Sequence, residues 1–168
     1  MWEYTGQQRP PFADEPGPGQ ESVWDYPRPP ALVPCERNVR VVAGEQVLAE
    51  TRSARRVLET ASPPTYYIPA ADVNLDALVT VPGSSFCEWK GAALYWALAS
   101  GGDVIGWSYP EPSERFASIR GAFSFYPGRV ACFVDGERVR PQPGQFYGGW
   151  VTDEIVGPVK GEPGTGHW

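Results

Sequence analysis

Between Ser85 and Trp96 the chain sets a thiol (Cys87), two charges (Glu88 and Lys90), Gly91 and three aromatic rings (Trp89, Tyr95 and Trp96) close together. Groups of these types can bind, transfer a proton or attack a carbonyl. A nucleophilic cysteine needs a base or a positive field to form thiolate. The single histidine, His167, stands next to the C-terminus, so a Cys–His dyad would require the tail to fold back. If Phe86–Lys90 is a strand, alternation sends Cys87 and Trp89 to one face and Glu88 and Lys90 to the other. On that geometry Cys87 reads as a buried structural thiol that also borders a ligand, and Lys90 as the ligand's polar contact. Lysine is scarce: Lys90 and Lys160 stand against twelve arginines.

A second constellation surrounds Glu59. Flanked by Leu58, Pro63 and Pro64, its carboxylate is open to desolvation, which raises a pKa toward that of a useful general base. Lys90 or Tyr66 could then stabilise an oxyanion. The structural alternative pairs Arg56 or Lys90 with Glu59 or Glu88 as an ion pair between strands. A third set is aromatic: Tyr66, Tyr67, Trp89, Tyr95, Trp96, Trp107, Tyr109, Phe125 and Tyr126. Many of these rings must fill a core. Their polar handles suit a concave pocket with Arg56, Glu59 and Lys90 at its floor.

The elements that carry these residues are short. Gly and Pro number 19 each, which favours brief strands joined by turns over long helices. Val39–Ala43, Gly44-Glu45 and Gln46–Glu50 read as strand, turn, strand. Arg55–Thr60 reads as a strand because Pro63-Pro64 follows at once, and Thr65–Pro69 as a short strand. Asp72–Leu78 and Pro112–Ile119 are expected to hold a helical turn or two. Phe86–Lys90 and Ala92–Ala99 are expected as two strands hinged at Gly91, followed by Val104–Tyr109. Ala122–Tyr126 and Arg129–Val134 are expected to form a hairpin about Pro127-Gly128, with Asp135-Gly136 turning into Glu137–Arg140. The expected fold is mainly β, one domain of short antiparallel strands with one or two short helices.

The 168 residues suit one domain with a real core, and 42% hydrophobic content argues for a folded chain. The organisation expected is a Pro-rich extended arm (1–36), a core domain (37–140) and a Gly/Pro-rich extension packing on it (141–168). Net charge is −6, and most of the excess lies in the arm, so no basic field offers itself to nucleic acid or to an anionic membrane. Cys35, Cys87 and Cys132 are too widely spaced for a zinc knuckle. No metal or cofactor is expected. The start, MWEYTGQQRP, lacks an apolar signal core, and no apolar run reaches membrane-spanning length. A cytoplasmic protein with reduced thiols is the expectation. In the arm, Trp24 and Tyr26 should anchor on the domain or cross to a partner subunit in a homodimer.

Several motifs in fixed order carry a resemblance: Arg56-Val57-Leu58-Glu59-Thr60, Pro64-Thr65-Tyr66-Tyr67-Ile68-Pro69, Asp72-Val73, Cys87-Glu88-Trp89-Lys90-Gly91, Trp107-Ser108-Tyr109-Pro110, Phe125-Tyr126 and Val134-Asp135-Gly136. From about Val39 to Arg140 the chain resembles the bacterial domain of unknown function 427 family. The flanks Glu21–Pro30 and Gln145–Pro158 resemble an actinobacterial branch of it. The resemblance implies a β-tent-like fold. Many β-tent proteins hold zinc with Cys-x-x-Cys knuckles, which this chain lacks, so a metal-free core is implied. Some family members bear a nucleotidyltransferase label. That chemistry needs a Gly-Ser motif followed by an acidic metal-binding pair, and no such pair follows Gly83-Ser84-Ser85.

Three functional readings follow. The first is a small-molecule binding site lined by Tyr66, Trp89, Trp107 and Tyr109, with Cys87 at its edge and Lys90 or Arg56 engaging an anionic or carbonyl group. The second makes the same site a cofactor-independent lyase, isomerase or cyclase, with Glu59 as acid/base and Lys90 or Tyr66 as the oxyanion partner. The third is a non-catalytic interaction module whose Trp24 and Tyr26 dock onto another chain.

Overall fold

Short strands dominate the computed structural model, which describes residues 2–144 and 146–168. Met1 and Gln145, the latter opening the C-terminal flank, lie outside the described residues. Two four-stranded antiparallel sheets and one three-stranded sheet form the body. In one, Val39–Ala43 pairs with Gln46–Thr51 on one side and with Ala131–Val134 on the other, and Glu137–Arg138 closes the edge. Val39 and Val41 are fully buried while Arg40 between them is exposed, the period-two pattern of a half-buried sheet. The Asp135-Gly136 turn takes positive φ at both residues, 48° and 82°, as a two-residue hairpin of the primed type requires.

The second four-stranded sheet runs Phe123–Phe125, Val104–Ser108, Leu94–Leu98, Leu78–Val81. The three-stranded sheet sets Ala54–Leu58 between Ala31–Cys35 and Thr65–Tyr67. Helical structure is confined to single 3-10 turns and the kinked segment Glu114–Ile119, which buries Phe116 and Ile119. The mainly β reading of the sequence therefore stands, and the strand Leu94–Leu98 lies within the expected Ala92–Ala99.

Two expected elements differ. Phe86–Lys90 is not one strand: Phe86–Cys87 pairs with Gly91–Ala92, and residues 88–90 are the turn between them. Gly91 permits this with φ +91°, and a Cβ there would stand 2.9 Å from the Glu111 carbonyl oxygen. The 122–126 and 129–134 segments do not pair with each other either; they lie in different sheets. The outer edge of Phe123–Phe125 is already taken. Ile68 exchanges backbone hydrogen bonds with Phe123 at 2.7 and 2.8 Å, and the Trp150 indole N–H donates to the Phe125 carbonyl at 2.9 Å.

Three apolar clusters result. The largest joins the Val39–Ala43 sheet to Tyr66, Phe125 and Trp150. The second gathers Val57, Tyr67, Ala93, Trp107, Tyr109, Phe116, Ile119 and Ala122. The third holds the arm, with Trp24 and Tyr26 buried against Ala61 and Ile155 and beside Trp168. Glu21–Ser22 runs parallel to Ile155–Val156, and the Trp24 indole N–H donates to the Pro158 carbonyl at 3.1 Å. Both flanks are thus tied to each other on this chain's own surface.

Candidate functional site

The strand Thr65–Tyr67 is buried on both faces, and alternation splits its two tyrosines between the first two clusters. Tyr66 stacks on Trp150 at 4.7 Å between centroids. Tyr67 points the other way, where its hydroxyl accepts a hydrogen bond from the Trp107 indole N–H at 3.2 Å. On the Tyr67 side lies a cleft of about 530 Å³. Trp107, Tyr109 and Ala93 form its buried floor; Cys87, Lys90, Tyr95 and Tyr126 stand on its walls; Phe86 and Phe146 reach its mouth.

Local rules explain how the walls are placed. The hairpin of Phe86–Cys87 with Gly91–Ala92 is tied to the next strand by Ala93 N–H donating to the Ser85 carbonyl at 2.8 Å, and by the Tyr95 hydroxyl donating to Ser85 Oγ at 2.6 Å. The Ser113 hydroxyl donates to the Trp89 carbonyl at 2.6 Å and holds the turn down. Gly148 supplies the remaining clearance: a Cβ there would lie 2.2 Å from Trp107 Cη2.

Because residues 88–90 turn rather than extend, Cys87 and Lys90 face the same cleft instead of opposite sides. Lys90 is half-buried, its Nζ 5.8 Å from the centre of the Tyr109 ring, within cation–π range. Among the described residues no carboxylate lies within ion-pair distance of it. Burial alone would lower its pKa, but Tyr67, Cys87 and Glu59 outweigh that and hold it above the ordinary lysine value. Lys90 is therefore an ammonium at neutral pH, suited to holding an anion and unsuited to acting as a free amine nucleophile. Burial raises the Tyr109 hydroxyl pKa, so the floor offers a neutral phenol that can donate a hydrogen bond.

Of the residues singled out from the sequence, Lys90, Cys87, Trp107 and Tyr109 come together at this cleft. Trp89 packs against the cluster beneath it without lining it. Tyr66 and Arg56 lie elsewhere. Arg56 pairs with Glu21 of the arm, which also accepts from the Tyr26 hydroxyl at 2.6 Å, and its guanidinium sits 5.9 Å from the Tyr66 ring centre. Arg37 and Glu154 form an ion pair in the same region. Burial lowers the Arg56 pKa, but Tyr66 and Glu21 outweigh this and raise it. This is an arm-to-core clamp. Glu59 is held by Arg28, at 3.4 Å, rather than by Lys90. Arg28 is almost wholly buried and also donates to the carbonyls of Tyr4, Thr60 and Trp168 at 3.0, 3.0 and 2.7 Å.

Reasoning from sequence missed Phe86, Phe146 and Tyr147 as cleft residues, and named Tyr67, Tyr95 and Tyr126 only within the broad aromatic set. Alternation separates Tyr66 from Tyr67 but cannot say which face is hollow, and nothing local brings residues 146–148 onto Trp107. Among the described residues no group of three or more His, Cys, Asp or Glu side chains could hold a metal ion. Nor, among the described residues, is any helix long and apolar enough to cross a membrane.

The chain is thus a mainly β protein with an aromatic cleft whose lining includes Lys90 and Arg129. Residues 31–136 match the model of the family described as a domain of unknown function, DUF427, and the chain belongs to that family. No curated protein matches it.

Proposed function

We propose that the cleft binds a small organic anion with a planar ring, its carboxylate or equivalent group on Lys90 and its ring among Tyr67, Trp107 and Tyr109. One observation carries this: a half-buried ammonium without a carboxylate partner among the described residues, on the wall of an aromatic cleft. Such a cation gains from a charge-assisted hydrogen bond to a ligand, and the aromatic faces supply apolar area with fixed geometry. Binding is favoured over turnover, since Glu59 is engaged by Arg28 and Tyr66 is stacked in the largest core.

Isothermal titration with benzoate and with benzamide, its uncharged isostere, tests the reading. Benzoate should bind more tightly than benzamide. Lys90→Met should weaken benzoate by about 10- to 100-fold, the worth of a hydrogen bond to a charged group, and leave benzamide unchanged. Equal affinity for the two probes, or benzoate binding indifferent to Lys90→Met, would sink it.

A further inference from the structure

The cleft grades from floor to mouth. At the floor Trp107 and Tyr109 are 7% and 8% exposed; at the mouth Phe86 and Phe146 are 78% and 77% exposed. These two phenylalanines come from separate segments, the Phe86–Cys87 hairpin strand and the chain leading to Trp150–Val151, yet both border the same cleft. Isolated exposed apolar side chains are ordinary on a protein surface. Two large rings at the mouth of a cleft whose lining is mostly apolar, with Lys90 more buried than they are, are a different arrangement. A headgroup bound by Lys90 would leave any substituent pointing outward between these rings.

We infer that the ligand is an amphipathic anion: a planar acidic head seated on Lys90 and an apolar tail that leaves the cleft between Phe86 and Phe146. The inference rests on the binding mode proposed above and adds the tail to it. A polar extension would gain nothing from the two rings, whereas an alkyl or aryl tail removes apolar area of its own and of the rings from water. Net charge of −6 disfavours long-range capture of anions, so local contacts must supply the affinity.

The test is a 4-alkylbenzoate series from methyl to hexyl, titrated into the wild-type protein, Phe86→Ser/Phe146→Ser and Lys90→Met. Both phenylalanines are exposed, so the double variant should fold, which circular dichroism and a thermal melt close to wild type would show. In the wild type, affinity should rise by up to about fourfold per methylene, the transfer value for a buried CH₂, until the tail clears the rings. In the double variant that rise should flatten. Lys90→Met should weaken every member by a similar factor and leave the chain-length slope intact. A slope identical in the wild type and the double variant would overturn the tail assignment while leaving the headgroup site standing. Failure of benzoate itself to bind, or its indifference to Lys90→Met, would bring down both.

Discussion

Gly148→Ala is the most direct perturbation of the cleft floor. The added Cβ would stand 2.2 Å from Trp107 Cη2 and 2.6 Å from Cζ3, where ordinary contacts begin near 3.4 Å. Something must move by roughly an ångström, as interiors at crystal-like density have no slack to absorb it. Trp107 cannot withdraw freely. Its indole N–H is held by the Tyr67 hydroxyl at 3.2 Å, and Tyr126 packs on its ring at 4.7 Å between centroids. Overpacking of this kind costs about 1–3 kcal/mol, a fall in Tm of about 2–4 °C per kcal/mol for a chain of this size. Trp107→Phe removes the atoms that clash, so the double variant should be less destabilised than the sum of the singles by about 1 kcal/mol. Thermal and urea melts of the four proteins give that coupling, with near-UV circular dichroism following the tryptophan. A Gly148→Ala protein melting within a degree of wild type would refute the reasoning. So would strict additivity, because residues 146–149 would then yield instead of the ring.

Other consequences can be read from solution measurements. Burial of Glu21 acts to raise its pKa, but hydrogen bonds from Tyr26 and Arg56 outweigh this and hold it below the ordinary value of 4.5. A depressed carboxylate contributes stability that is present above the unfolded pKa and lost as pH falls through the folded one. Urea midpoints should therefore drop below about pH 4.5, and Glu21→Gln should be less stable at pH 7 with a shallower acid limb; an unchanged limb would mean the clamp contributes nothing. Cys35 and Cys132 are buried, with burial raising the Cys132 pKa well above the thiol range, whereas Cys87 borders the cleft. Native protein should react with a thiol-specific disulfide reagent at one site, Cys87 by peptide mapping, and bound 4-hexylbenzoate should slow it. Rapid modification of all three would contradict the burial described here.

The sequence by itself determined the elements whose cause is local. The mainly β character follows from 19 glycines and 19 prolines among short apolar runs, and the Asp135-Gly136 hairpin from two residues that tolerate positive φ. The aromatic surroundings of Lys90 were legible in part too, from Trp89 and Tyr95 close by in the chain. Tertiary structure decided the rest. Arg56 found Glu21, 35 positions away, and Glu59 found Arg28, because long charged side chains take whichever partner packing brings within reach. The 88–90 turn put Cys87 and Lys90 on one side where strand alternation set them apart, since the close approach of Gly91 to the Glu111 carbonyl is a contact between distant segments. Tyr66 and Tyr67 are adjacent and alike in type. Only the packing of Trp150 on one face of their strand, and of Trp107 with Gly148 on the other, made one a core residue and the other part of a cleft.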